Sequence, residues 1–420
     1  MKKRLAAALL AGIMSACLLL TGCGSSGSAA ASSESSEETS TEIESSADES
    51  SSETEDISED SSTEGGSEQV ETADHPEISG LTYESSLPLD YAECFAVHYY
   101  NDGYTLIDVI GDRQYLLIPE GKEAPEGIDE AIILIQQPLK KIYLAATSAM
   151  ALFDAADAMD SVAFSSLEAS GWYVDAAKEA MEEGRIQYAG KYNKPDYELL
   201  VNEGCDLAIE STMILHTPKV QEMIEKLDIP VFIDRSSYES EPLGRTEWIK
   251  AYGVMTGTLD QAETFFEGRK GVLSEMGEVE ADQASVVYFY INTSGEVIVR
   301  NKSDYISRMI ELGGGRILFE DMNSDSASVP VTMEEFYSVA KDADYLIYNA
   351  SIDATVTSIE ELTAKNELFA DFKAVQEGNV WSTGKSLYQA TDNLTDFIRD
   401  VNRMITGGDE SEMTFIYKLS

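Results

Sequence analysis

The chain has 420 residues with 77 acidic against 29 basic side chains, for a net charge of −48. Such an imbalance argues against nucleic acid or an anionic membrane surface as partner. Four cysteines, two of them (Cys17 and Cys23) in the leader, leave only Cys94 and Cys205 and exclude a disulfide framework. At this length the globular part should form two domains or lobes with ample core.

Lys2, Lys3 and Arg4 precede an apolar run from Leu5 to Leu20 that ends in "LTGC" at Cys23. This resembles a bacterial lipobox and predicts a signal over 1–23, cleavage before Cys23 and a diacylglycerol on its thiol; a plain secretory signal is the alternative. Two or three acyl chains, at roughly 0.8 kcal/mol per buried CH₂, would anchor the chain stably. No later run reaches the ~18 apolar residues of a membrane helix. Residues 24–75 are mostly Ser, Glu, Asp, Thr and Ala, with almost no large apolar side chain and no Lys or Arg. They read as an acidic tether too polar to fold, with a coil span of about 40 Å.

From there the pattern becomes regular. "CFAVHYY" (94–100), "YTLIDVI" (104–110) and "QYLLIPE" (114–120), parted by "NDG" and "GDR", predict a hairpin meander. "AIILIQ" (131–136) and "KIYLAA" (141–146) are further strands, and "TSAMALFDAADAM" is a helix capped by Thr147 or Ser148. "SVAFSS", "YVDAAKEAMEEG", "PDYELLVNEGCDLAIEST" (195–212), "TPKVQEMIEKLD" and "IPVFID" continue as alternating strands and helices, which predicts a parallel α/β sheet. Two helices follow, "TEWIKAYGVMTG" and the long "LDQAETFFEGRKGVLSEM". The pattern then restarts with "SVVYFYI" (285–291), "SDYISRMIELGGG", "RILFE", "TMEEFYSVAKDADYLIYNAS" (332–351) and "NELFADFKAVQEGNVWST", and closes on a helix near "NLTDFIRDVNRMITG". The units 195–212 and 332–351 share an acidic residue, a helix-spaced apolar set, an Asp and a strand. One unit occurring twice predicts two similar lobes: 76–257 and 281–420, joined by a helix within 258–280.

Ligands in such sheets bind beyond the carboxyl ends of the strands. The candidates are Thr147, Ser148 and Met150; Ser211, Thr212 and Met213; Arg235, Ser237 and Tyr238; Tyr290 and Asn292; Asn349 and Ser351; Lys385 and Tyr388. Arg235, Arg245, Arg300 and Arg308 could hold a carboxylate or an anionic chelate bidentately. The tyrosines suit a large planar ligand. Ordinary loop capping and solvated salt bridges explain any one of these residues singly. Glu241, Arg245, Glu247 and Trp248 could instead be a carboxylate catalytic group or a helix-start ion pair beside a packed Trp. "GNVWSTGKS" has five residues between Gly378 and Gly384 and follows a helix, so the phosphate-loop reading fails. His75, His98 and His216 are too few and too scattered to predict a resident metal; His216, with Met150, Met213 or a Tyr, remains a possible axial ligand to haem iron, against a packing or capping role.

Together the lipobox, the tether, the two halves and the stretches "SSYESEPLGRTEWIKAYG" (236–253) and "GNVWSTGKSLYQATD" (378–392) resemble the solute-binding lipoproteins of ABC importers, in the iron-chelate/vitamin B12 class. The resemblance covers roughly 80–407. It implies an α/β fold of two Rossmann-like lobes joined by a long helix (class III), here preceded by a β meander. It also implies a lipid-anchored receptor on the extracytoplasmic face of the cell membrane that is not an enzyme and has no cofactor of its own. The ligand would be a metal chelate, with iron–siderophore ahead of haem and corrinoid, and the partners ABC permease and ATPase subunits. In that family a surface Glu on each lobe pairs with the permease; Glu198 matches in the first lobe, and Glu335, with Glu334 beside it, in the second. A lipid-anchored surface hydrolase using carboxylates near Glu247, or an adhesion module, stands as the alternative of another class.

Overall fold

The structure is a computed structural model that describes residues 75–276, 279, 284–319, 322 and 327–420. The leader, the lipidation position Cys23 and the tether up to residue 74 lie outside the described residues.

A five-stranded sheet comes first: β1 (Tyr83–Ser86), β2 (Phe95–Tyr100), β3 (Thr105–Val109), β4 (Gln114–Ile118) and β5 (Ile133–Gln136), in that spatial order. β1 to β4 run antiparallel and β5 pairs parallel to β4. The β2–β3 turn "NDG" works because Asp102 and Gly103 both take positive φ (62° and 84°), as a tight hairpin requires.

The first lobe is built from β6 (Ile142–Leu144), α1 (Met150–Ala155), β7 (Val162–Ser165), α2 (Asp175–Glu182), β8 (Gln187–Tyr188), a small hairpin β9 (Gly190–Lys191) and β10 (Lys194–Pro195), α3 (Tyr197–Glu203), β11 (Leu207–Ser211), α4 (Pro218–Glu225) and β12 (Val231–Asp234). Its sheet order is β12-β11-β6-β7-β8, parallel throughout. Leu207 and Ile209 enter one core and Ala208 the other, the two-residue alternation of a strand covered on both faces. Helices α5 (Pro242–Glu247), α6 (Ile249–Thr256) and α7 (Leu259–Met276) then carry the chain across. Gly253 allows α6 and α7 to approach closely: a Cβ there would lie 2.9 Å from the Cβ of Ala262.

The second lobe contains β13 (Ala284–Ile291), β14 (Val297–Arg300), α8 (Tyr305–Leu312), β15 (Gly315–Ile317), β16 (Ser328–Val331), α9 (Met333–Ala340), β17 (Tyr345–Tyr348), α10 (Ile359–Lys365), α11 (Lys373–Glu377), β18 (Val380–Thr383), α12 (Leu394–Thr406) and β19 (Ile416–Lys418). β13, β15, β17 and β18 are parallel neighbours, but β14 pairs antiparallel with both β13 and β16, and β19 antiparallel with β18. The sheet is therefore mixed, where the sequence pattern predicts a parallel one. The reversal is local: Asn292 Oδ1 accepts from the amides of Ser294 (3.0 Å) and Glu296 (2.9 Å), and Gly295 takes φ 84°, so β13 folds straight back into β14.

The repeated unit has the same construction in both lobes. Asp196 caps α3 by accepting from the Leu199 amide, and Thr332 caps α9 by accepting from the Glu335 amide. Past each helix an Asp ties the unit to the start of the neighbouring parallel strand. Asp206 Oδ2 accepts from the Lys140 and Lys141 amides (2.7 and 2.9 Å) ahead of β6, and Asp344 Oδ2 from the Ser285 amide (2.8 Å) in β13.

Candidate functional site

The strand ends of the two lobes bring some of the candidate residues together and leave others apart. The main convergence is on the second lobe. Arg300, at the end of β14, donates from Nη2 to the Tyr388 hydroxyl at 2.5 Å and lies 3.6 Å from Asp304. Asn349, just past β17, donates from Nδ2 to the same hydroxyl at 2.8 Å. Burial works against the Arg300 charge, but Tyr388 and Asp304 outweigh it and its pKa is raised; burial likewise pushes Asp304 and Tyr305 up. From the first lobe, Arg245 places its guanidinium 3.8 Å over the Tyr305 ring. Tyr290 is half-buried beside this group, and its hydroxyl is raised by burial.

Two atoms here have unused hydrogen-bonding capacity. Arg245 Nε and Asn349 Oδ1 are buried and, among the described residues, have no partner. Buried polar groups are normally satisfied, and each orphan costs about 1–3 kcal/mol. The cluster can therefore meet an incoming group with a free donor and a free acceptor, backed by the guanidinium groups of Arg300, 3.6 Å from Asp304, and of Arg245, whose charge acts on both Asp304 and Asp234.

The remaining candidates do other work. Ser148 donates to Asp234 at 3.5 Å; Ser211 accepts from the Met213 amide and caps the turn at 212–216, in which Thr212 is buried. Ser351 donates to the Gly384 carbonyl at 2.8 Å, and Lys385 is exposed. Met150 is fully buried in the core of the first lobe, and Asn292 holds the β13–β14 turn. Arg235 turns back toward the β3–β4 turn, donating to Gly111 O at 3.5 Å and covering the Tyr238 ring at 4.6 Å. Arg308 pairs with Glu241 of the first lobe at 2.9 Å. His75 stacks on Tyr83 and His98 accepts or donates with Ser86, whereas His216 ends a turn on a different element.

The carboxylates of "SSYESEPLGRTEWIK" have a structural role. Glu247 is fully buried and receives the amides of Asp90, Tyr91 and Ala92 at 2.8–3.1 Å, together with Lys250 Nζ at 2.8 Å. Glu239 receives the amides of Glu93 and Cys94 and the Trp248 indole. Both side chains bind residues 90–94 to α5, and Gly244 lets that strand of backbone pass: a Cβ would lie 3.0 Å from Tyr91 O. With its oxygens so occupied, Glu247 has no capacity for general acid or base work. The local sequence gave no sign that Glu239 and Glu247 would receive backbone amides more than 140 residues away.

A cavity of about 840 Å³ lies outside the interlobe region, between the β3–β4 turn and the start of β12. Asp108, Asp112, Glu130 and Asp228 line it, and its one arginine, Arg113, is paired with Glu225 at 2.5 Å. No helix of the described residues is long and apolar enough to cross a membrane.

An uncharacterized lipoprotein of Methanocaldococcus jannaschii is 26% identical over 350 residues, which cover 78% of this chain and 86% of that protein. Among solved structures, a periplasmic binding protein from Veillonella parvula superposes with a TM-score of 0.55 at 14% identity, covering 77% of this chain and 99% of that one. A periplasmic heme binding protein of Vibrio cholerae superposes with a TM-score of 0.52 at 14% identity, covering 64% and 98%. The two lobes and the long helix between them are the class III architecture that the sequence led one to expect. The periplasmic binding protein model matches residues 151–387, a span that runs through both lobes and α7, and this chain belongs to that family.

Proposed function

We propose that the chain is a lipid-anchored receptor that captures an anionic metal chelate between its lobes and hands it to an ABC importer, without turnover. The observation that carries the ligand class is the cluster of buried Arg245, Arg300 and Asn349 with the half-buried Tyr388, and its unpartnered Arg245 Nε and Asn349 Oδ1. Two guanidinium groups favour a ligand with carboxylate, catecholate or other anionic oxygens, and bidentate pairing would orient it. This orders the candidates as iron–siderophore, then haem, then corrinoid. Relatives named as lipoproteins support anchoring through Cys23. A Cys23→Ser variant should appear in the medium; retention at the membrane would remove the anchor.

Docking to the permease falls to α3 and α9. Glu198 is the second residue of α3 and Glu334 the second of α9; each precedes by two the first buried residue of its helix, Leu200 and Phe336. Helix phase thus favours Glu334 over Glu335 as the counterpart of Glu198, although both are exposed. The test of the ligand class is direct, because all three chelates are coloured. Protein purified from its own host should carry a visible absorption band, and titration with a ferric siderophore, haemin and cyanocobalamin should show saturable binding with the first. Saturable binding of none of the three would overturn the proposal.

A further inference from the structure

The interface between the lobes holds a contact that the sequence does not suggest. Gln389 ends a short turn at 387–389, one residue beyond Tyr388. Its side-chain amide crosses to the first lobe and makes two hydrogen bonds there. Oε1 accepts from the Tyr173 amide at 2.8 Å, and Nε2 donates to the Gly171 carbonyl at 2.9 Å. In extended backbone the carbonyl of one residue and the amide of the residue two further on point the same way, as in a β ladder. A glutamine amide carries the matching acceptor and donor, so Gln389 imitates a strand partner for residues 171–173.

Both sides of this contact are rigid. Trp172, between the two bonded residues, is fully buried, and its indole donates to Ser165 Oγ at 3.0 Å. On the other side, Leu387 is in the core of the second lobe and the Gln389 amide donates to Ser386 O at 2.8 Å. The other cross-lobe contacts differ in kind: Leu273 and Met276 of α7 pack on the second-lobe core, and the polar contacts are single-point. Thr246 donates to Thr391 O at 2.8 Å, and Arg308 pairs with Glu241 half-exposed. Where α5 packs on α8 and α12, Arg245 Nε, Ser307 Oγ and Thr395 Oγ1 are buried without a partner among the described residues. A single hydrogen bond or ion pair tolerates a change of angle, whereas a two-point amide contact has one geometry.

We infer that Gln389 is the residue that latches the lobes together, and that it couples closure to the cleft because Tyr388, its neighbour in the same turn, is held by Arg300 and Asn349. The inference concerns closure and rests on the cleft reading above only for its coupling to ligand. Gln389 is a positioning residue: it need not touch the bound molecule to set how long that molecule stays.

Hydrogen exchange at single amides tests this without any ligand. In the Gln389→Ala protein the Tyr173 amide should exchange at least tenfold faster. The Gly171 amide, which donates to Glu168 O within the first lobe, and the Ala189 amide, which donates to Ser165 O, should be unchanged. Gln389→Glu keeps the acceptor and loses the donor, so Tyr173 should fall between wild type and alanine. Unchanged Tyr173 protection in Gln389→Ala overturns the latch, and so does an equal loss at all three amides, which would mark general loosening. A second arm uses haemin, a ferric catecholate chelate and cyanocobalamin: for whichever binds, Gln389→Ala should raise the dissociation rate severalfold more than Arg308→Ala. Equal effects of the two variants overturn the coupling. Binding of none of the three would sink the ligand proposal while leaving the exchange result to judge the latch.

Discussion

Arg245 and Glu247 are two residues apart on the same short helix, both charged and both buried, yet they face opposite tasks. Glu247 looks toward the segment 90–92 and has every oxygen occupied by backbone amides or Lys250. Arg245 looks toward the second lobe, sits over the Tyr305 ring and has its Nε unused among the described residues. A buried charge that is fully satisfied is part of the framework, since removing it leaves several groups unpaired at once. A buried charge with capacity left over is where an incoming ligand gains most, because desolvation has already been met by the fold.

The largest expected effect breaks the framework side of that contrast. Glu247→Ala strips three amides and Lys250 of their acceptor, and breaking a buried pair of this kind costs about 3–5 kcal/mol. A urea midpoint close to wild type would show that Glu247 does not fasten residues 90–92. Any folded fraction should retain wild-type affinity for the chelate that the protein carries from its host.

Arg245→Met tests the other side. Methionine retains apolar contact with the Tyr305 ring and removes only the guanidinium, so unfolding should change by less than about 1 kcal/mol. Affinity for an anionic chelate should fall roughly ten- to hundredfold, the worth of one charge-assisted hydrogen bond at ~1.5–3 kcal/mol. Unaltered affinity would place the ligand away from this cluster.

The docking glutamates sharpen the comparison between the lobes themselves. Exposed ion pairs contribute only ~0–1 kcal/mol each, so they orient more than they bind. Glu198→Lys with Glu334→Lys should abolish uptake and leave soluble ligand affinity intact. The same reversal with Glu335→Lys in place of Glu334→Lys decides between the neighbours, and full uptake in both double variants would end the docking assignment.

Periodicity made most of this architecture legible. The meander, the alternating first lobe, the long helix and the twofold unit 195–212/332–351 all follow from the spacing of apolar residues and from caps such as Asp196 and Thr332. What stayed hidden was of two kinds. β14, β16 and β19 are three or four residues long and turn the second sheet mixed, and strands so short carry little pattern beyond turn residues such as Asn292 and Gly295. The sites were less legible still. Arg300, Tyr388 and Asn349 were all candidates, but nothing local indicated that they would share one hydroxyl, while Arg235 would turn away to Gly111. Gln389 gave no signal at all, because its partners are backbone atoms more than 200 residues away in the chain.

The smallest effect concerns pH and the strength of closure. Asp392, in the turn that packs on α1, has its carboxyl pushed up from 3.8 to about 6, by burial first and then by Asp154 of the first lobe and Asp396 of α12; Arg269 of α7 opposes this. Asn393 donates to it at 2.6 Å. If the lobes part, Asp392 regains water and its ordinary value. The closed form then binds a proton that the open form releases in the window between those two values. A raised carboxyl pKa makes closure strongest below about 4 and weaker as pH rises through about 6, with no further change above. Between pH 7 and 5, exchange at the Tyr173 amide, corrected for its intrinsic pH dependence, should therefore slow by a few-fold. Asp392→Asn should remove that dependence and hold Tyr173 at its acid-side protection throughout. A wild-type profile that is flat, or that slopes the other way, would show that closure does not bury Asp392.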